Sequence, residues 1–414
     1  MMPDSAVLSR LRNDFPALQR TIGGRPPAFF DGPAGSQVPR QVIDAVAGYM
    51  ANQNANTGGA FRTSLETEEM LERARQRVAA FLGAQDAAEV VFGGNMTSLT
   101  FALSRSMRRQ WSSGDEVIVT DLDHQANVAP WRMAAEEAGA RVRVVPFHRE
   151  TCTLELDSLE RMLTSRTRLV AIGYASNAVG TITDVSRVCG MAREVGALSF
   201  VDAVHFAPHG LLDVAAIGCD FLACSAYKFF GPHTGILWGR REHLTELHPY
   251  KVPPATDQAP GRWETGTLNF EGIAGTGAAV DWIASLGASG GGEPLREKVA
   301  GGMRQIEELE APLLQRLLSG LRAMDGVRVH GPPQHHPRTP TVAFTHEMIA
   351  ADLIAKGLSD EGVFVWSGDF YAPTVIDRLG LRARGGVVRV GLAPYNTAEE
   401  MDRLLTAVDR ITRT

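Results

Sequence analysis

The stretch CSAYKFFGPHTG, residues 224–235, places one lysine at the end of an apolar run, with two glycines and a proline close behind. The segment leading into it, DFLACSA (220–226), has the composition of a buried strand. An ammonium in that position has two readings. Lys228 either snorkels to the surface along its aliphatic stem, or it is held out of water. Burial would then lower its pKa and make the amine a nucleophile and proton carrier.

On both sides of this stretch, from about residue 88 to 240, short apolar runs alternate with helical ones. EVVF (89–92) precedes MTSLTFALSRSMRRQW, DEVIVTDL (115–122) precedes APWRMAAEEAGA, and RLVAIGYAS (168–176) precedes DVSRVCGMAREVGA. LSFVDA (198–203), DFLACSA and GILWGR (235–240) follow. Apolar strands separated by amphipathic helices predict an α/β fold, a mostly parallel sheet with helices on both faces. Upstream, Thr63 and Glu66 have the spacing of a capping box. The helix after them carries Met70, Leu71, Ala74, Val78, Phe81 and Leu82 on one face and stops at Gly83.

SLGASGGGE (285–293) is the sharpest break in composition and marks a hinge. Beyond it a long helix over 294–324 leads to short strands, VRVHG, TVAFTH, VFVWSG and VVRVGL, in an α+β pattern. The expected organisation is a large domain over 26–285 and a small domain built from 1–25 and 286–414. The 414 residues, 44% hydrophobic and 21% charged, are enough for both cores.

A formal net charge of −6 gives no basic footprint for nucleic acid. No apolar run approaches the roughly 20 residues a membrane helix needs. The start, MMPDSAVLSRLRNDF, lacks the basic and apolar regions of a signal peptide. Cys152, Cys189, Cys219 and Cys224 form no CxxC and suit a reducing compartment. The expectation is a cytoplasmic protein with neither nucleic acid nor membrane as partner.

In an open α/β sheet, ligands bind beyond the carboxyl ends of the strands. His124, Asn177, Asp202, His205 and the segment Ser225 to Lys228 all fall at such ends. Singly, each has a plainer reading, an Asp at a strand end most often being a turn former or helix cap. Together they converge on one crevice. GGNMTS (93–98) lies between a strand and a helix, so its N–H groups form an anion site that the Thr97 and Ser98 hydroxyls can assist. It does not match GxxxxGK[ST], which disfavours a nucleoside triphosphate. GTGAAV (275–280) imitates a dinucleotide fingerprint but follows no strand. His205 and His209 are four apart with Pro208 between them and no third ligand near, so a capped turn is preferred to a metal site.

An anion loop, a buried lysine and a strand-end Asp are jointly what pyridoxal 5′-phosphate requires. The lysine forms a Schiff base, the carboxylate keeps the pyridine nitrogen protonated, and a helix N-terminus holds the phosphate.

At this point the chain resembles the class V aminotransferase-type, fold-type I PLP enzymes, and is most similar to their cysteine desulfurase-like branch. The likeness runs from FFDGPAGSQVPR (29–40) to VRVGLAPYNTAEEMDRLL (388–405). It implies a large domain with a mostly parallel seven-stranded sheet and a smaller α+β C-terminal domain. By the resemblance Lys228 in SAYKFFGP is the Schiff-base lysine, Asp202 in FVDAVH the pyridinium partner, and His205 a contact on the O3′ side. His124 in DHQANVAPW is the histidine stacked on the ring, and Asn177 in SNAVGT lies near O3′ and substrate. Met96 and Thr97 match the phosphate turn, and Ser225 and Tyr227 its second contact. Gly266 and Thr267 in RWETGTLN match residues that reach the partner subunit's phosphate, which implies a homodimer with shared active sites. Arg389 matches the arginine that binds the substrate α-carboxylate, a bidentate task suited to guanidinium. Ala34, Gly35 and Tyr371 fall at further substrate positions.

One departure bears on the reaction. Desulfurases of this branch carry a mobile-loop cysteine that holds a persulfide. In VFVWSGDFYAP (363–373) Tyr371 stands in its place, and Trp366 replaces a neighbouring arginine. The expectation is a PLP-dependent enzyme acting on a small amino acid or a similar metabolite, by β-lyase or aminotransferase chemistry. An epimerase, a desulfurase using another cysteine, and an idle PLP-fold binding protein are the alternatives.

Overall fold

The computed structural model describes residues 5–287 and 292–413. Lys228 follows a seven-stranded sheet of β1 (Val90–Gly93), β2 (Glu116–Thr120), β3 (Arg141–Val145), β4 (Thr167–Gly173), β5 (Leu198–Asp202), β6 (Phe221–Ser225) and β7 (Gly235–Gly239). Its spatial order is β1-β7-β6-β5-β4-β2-β3. β7 is antiparallel to β1 and β6, and the remaining pairs are parallel. β2, β6 and β7 are buried along their whole length, as strands between two helical layers must be. Their side chains alternate between two cores: Val117, Val119 and Phe221 face one, Ile118, Leu222 and Cys224 the other.

β3 is the strand missing from the apolar runs named above. Its sequence RVRVV alternates arginine with valine because it lies at the sheet edge, half exposed.

Helices α1 (Arg62–Leu82), α2 (Met96–Met107), α3 (Ala129–Ala138) and α4 (Val185–Glu194) are followed by α5 (Phe270–Leu286) and α6 (Leu295–Arg322). The expected capping box at Thr63 and Glu66 does not form. α1 starts at Arg62, two residues earlier than a Thr63 cap requires, so Thr63 lies inside the first turn, and Glu66 pairs with Arg62 four residues back at 2.7 Å. The C-terminal stop is as read: Gly83 takes the left-handed conformation, φ +70°. GTGAAV lies inside α5, mostly buried, and forms no phosphate loop.

A second, antiparallel sheet comprises β8 (Val327–His330), β9 (Thr341–His346), β10 (Trp366–Gly368) and β11 (Val387–Gly391), in the order β8-β9-β11-β10. It shares its own core, including Phe344, Val388 and Val390, with α6 and α7 (Ala398–Arg413). The N-terminal segment touches both halves. Phe15 meets Trp282 and Tyr395 edge-on at centroid distances of 5.1 and 5.0 Å, while Arg12 pairs with Glu400 at 2.9 Å. The hinge read at 285–293 includes residues 288–291, which lie outside the described residues. Among the described residues no helix is long and apolar enough to cross a membrane.

Candidate active site

The carboxyl ends of β2, β4, β5 and β6 open on one cavity of about 1220 Å³, closed on its far side by β10 and the segment after it. β6 ends at Ser225, and a single turn, Ala226–Lys228, lifts the lysine off the sheet. Lys228 Nζ donates to the Pro33 carbonyl and lies 4.8 Å from the centre of the Tyr227 ring. Burial, and then the charge of Arg389, push its pKa down to about 7, with Asp202 and Asp31 pulling the other way. A large share of the amine is therefore unprotonated at neutral pH.

Asp202, the last residue of β5, accepts a hydrogen bond from the Val204 N–H at 3.0 Å. Burial raises its carboxyl to about 6, against the lowering by that bond and by Lys228. His124 caps the next turn: its Nδ1 accepts from the Ala126 N–H at 3.0 Å. That bond leaves the ring proton on Nε2. Burial, then the Lys228 and Arg389 charges, lower its pKa to about 4, so the ring is neutral.

The turn before α2 is built as an anion cradle. Asn95 caps the helix, its Oδ1 accepting from the Ser98 N–H at 2.8 Å while its own N–H donates to Ser98 Oγ at 3.3 Å. The Ser98 hydroxyl is thus spent on the cap, contrary to the expectation that it would assist an anion. Thr97 lines the cavity, and Met96 N–H donates to Ser225 Oγ at 3.0 Å, tying the cradle to the lysine strand. Gly235, the last residue of the opening stretch, lets this happen: a Cβ there would collide with the Asn95 backbone.

Arg389 enters from β11, buried, and donates to the Asn177 carbonyl at 2.9 Å. Its guanidinium carbon lies 3.9 Å from the centre of the Phe370 ring. Burial lowers its pKa to about 9, which still leaves it charged. Asn177 donates in turn to the Phe370 carbonyl at 2.8 Å. Arg389 Nε and Asn177 Oδ1 are both buried, with no hydrogen-bond partner among the described residues. His205 is buried, its Nε2 3.2 Å from Thr339 Oγ1, and its neighbour His209 bonds to Glu310 at 3.0 Å. Among the described residues no group of three or more His, Cys, Asp or Glu is arranged to hold a metal.

The cavity thus brings together Ala34, Met96, Thr97, His124, Asn177, Asp202, His205, Ser225, Tyr227, Lys228, Tyr371 and Arg389. Gly35 sits behind the Tyr227 ring instead, and Gly266 and Thr267, just before α5, do not line the cavity. The sequence reading passed over two carboxyls. Asp123 lines the cavity and accepts from Asn127 Nδ2 and the Gly173 N–H, at 2.9 and 3.0 Å; burial raises it to about 7. Asp31 has a buried, unpartnered Oδ1, and burial lifts it to about 6 against the pull of Arg389 and Lys228. The signals were an acid one residue before His124 and the acid in FFDGPAG.

These residues fit pyridoxal 5′-phosphate. An unprotonated amine, a buried carboxyl for a pyridine nitrogen, a neutral ring to lie flat on another, and a helix N-terminus for a phosphate share one space, where orphaned polar atoms await partners. Fold and cavity define a PLP-dependent enzyme of fold type I. The chain belongs to the aminotransferase class-V family, whose model matches residues 28–404. It is 34% identical over 427 residues to a probable cysteine desulfurase of Xylella fastidiosa (strain 9a5c), covering 99% of this chain and 96% of that one. To the cysteine desulfurase of Enterobacter sp. (strain 638) it is 33% identical over 422 residues, with 98% of both chains covered. The apo structure of a cysteine desulfurase from Thermococcus onnurineus NA1 superposes with a TM-score of 0.88 at 26% identity, covering 100% of this chain and 98% of the other. The family uses pyridoxal 5′-phosphate, and the chain is a PLP-dependent enzyme.

Proposed function

We propose that the chain acts on α-amino acids as a lyase or aminotransferase and forms no persulfide on its own cysteines. The bound cofactor supplies an electron sink for the charge left on Cα when its proton departs. Lys228, held between Asp202 and Arg389, is the base for that proton and can return it elsewhere. Arg389 takes the α-carboxylate through the donor it has free. Asp202 would hold the pyridine nitrogen, His124 the ring face, Asn177 and His205 the ring hydroxyl, and Met96, Thr97, Ser225 and Tyr227 the phosphate. Gly266 and Thr267, outside this protomer's cavity, are read as serving the partner's site in a homodimer. The free thiols support a reducing, cytoplasmic setting.

One observation carries the choice of reaction: no cysteine lines the cavity. All four are buried elsewhere, and burial raises the thiols of Cys152 and Cys189 to about 11, away from the thiolate form that attacks sulfur. The test is product analysis of the yellow holoenzyme with L-cysteine and other amino acids. Keto acid, with or without ammonia, is expected. Alanine from L-cysteine, lost in any one Cys→Ala variant, overturns the reading.

A further inference from the structure

The wall facing Lys228 is aromatic, and two of its rings are open to water. Trp366 is 52% exposed and Tyr371 74%, yet both line the cavity. Large apolar rings left in water at the rim of a pocket mark a surface that a ligand covers.

Their placement relative to the carboxylate site is fixed by strand register. Trp366 of β10 is paired directly with Arg389 of β11. Directly opposed residues of an antiparallel pair point to the same face with Cβ atoms about 5 Å apart. A carboxylate bound by Arg389 would therefore lie on the sheet face that also carries the Trp366 indole.

Tyr371 is held as firmly. Its carbonyl accepts from the Gln125 N–H at 2.7 Å and its N–H donates to Asp369 Oδ1 at 3.0 Å, while its ring leans on His124 at 5.5 Å. Phe370 and Tyr371 both take left-handed backbone, φ +55° and +58°, a conformation that persists in non-glycine residues where the surroundings enforce it. The segment is a built wall, and its open faces are rings.

We propose that Trp366 and Tyr371 form a specificity slot for a flat, aromatic side chain, so that the substrates are aromatic α-amino acids or close analogues. The proposal rests on the reading of Arg389 as the carboxylate site. Ring faces select a planar partner, since stacking rewards a π-surface that an aliphatic chain lacks.

The test is titration of the PLP-loaded protein with L-phenylalanine, L-tryptophan, L-leucine, L-alanine and L-cysteine, following the cofactor absorbance and the heat of binding. The two aromatic amino acids should bind at least about tenfold more tightly than leucine or alanine, a preference equal to about 1.4 kcal/mol. Trp366→Ala and Tyr371→Ala should each shrink that ratio, whereas Trp366→Phe should keep most of it. Leucine or cysteine binding as tightly as phenylalanine, or an undiminished ratio in both alanine variants, overturns the slot alone. Absence of any response to any amino acid, or an Arg389→Ala variant that binds them all as the parent does, overturns the carboxylate reading and the slot with it.

Discussion

Lys228 is poised by charged neighbours of both signs, which makes its behaviour with pH a test of the site that needs no substrate. Its pKa of about 7 reflects burial first, Arg389 second, and an opposing pull from Asp202 and Asp31. Only the unprotonated amine adds to an aldehyde, so cofactor uptake by the apo-protein should accelerate as pH rises through about 7 and level off above it. Arg389→Gln removes a cation and should move that midpoint up. Asp202→Asn removes an anion and should move it down. Stopped-flow absorbance of uptake between pH 5.5 and about 9 measures all three; equal midpoints would show that burial alone sets the amine. Lys228 and Asp202 were legible in the sequence because each is a charged residue at the end of an apolar strand, whereas Arg389 came only from the family resemblance. Asp123 was not legible. Its carboxyl is defined by the Gly173 N–H of β4, fifty residues away along the chain, and His124 beside it drew the reading instead. The stacking of Phe370 on Arg389 was likewise invisible, since it depends on a turn that no local pattern specifies.

Among the elements, the strands buried on both faces announced themselves as continuous apolar runs, and β3 did not. An edge strand has one side in water, and RVRVV spends that side on arginine. The cap of α1 was misplaced for a related reason: Thr63 and Glu66 have the right spacing, but the helix opens at Arg62 and uses Glu66 for an ion pair. The junction of β7 with α2 carries a prediction of its own. Gly235 lies where any Cβ would meet the Asn95 backbone, and Asn95 orders the cradle through its capping box. Gly235→Ala must push the cradle off its strand, whereas Asn95→Ala only removes a cap worth about 1 kcal/mol. Gly235→Ala should therefore lose cofactor faster on dialysis, with overpacking costing roughly 1–3 kcal/mol of stability. Retention of cofactor equal to the parent would mean that the cradle is not where the phosphate is held.

At the scale of the molecule, α6 joins the two cores. Val299, Met303, Ile306 and Leu309 pack into the core of the large sheet, and Leu313, Leu314, Leu317 and Leu321 into that of the small one. Glu310 stands between these two sets, buried, and bonds to His209, whose ring lies 5.9 Å from that of His205 at the cavity. The His205–His209 spacing, read as a capped turn in the sequence, is thus part of a polar chain from the cofactor cavity to the helix that spans both halves. Burial raises the Glu310 carboxyl while His209 holds it down, so the two side chains depend on each other. Truncating one partner leaves the other buried and unmatched, a loss of about 1–3 kcal/mol, whereas replacing both with apolar residues of similar shape is close to neutral. Glu310→Ala and His209→Ala should each lower the urea midpoint sharply, while His209→Leu combined with Glu310→Leu should be more stable than either alanine variant. Glu310→Gln, which keeps a hydrogen-bond acceptor without the charge, should fall between Glu310→Ala and the parent. A leucine pair no more stable than the single truncations would show that this junction is held by shape and not by the buried hydrogen-bonded pair.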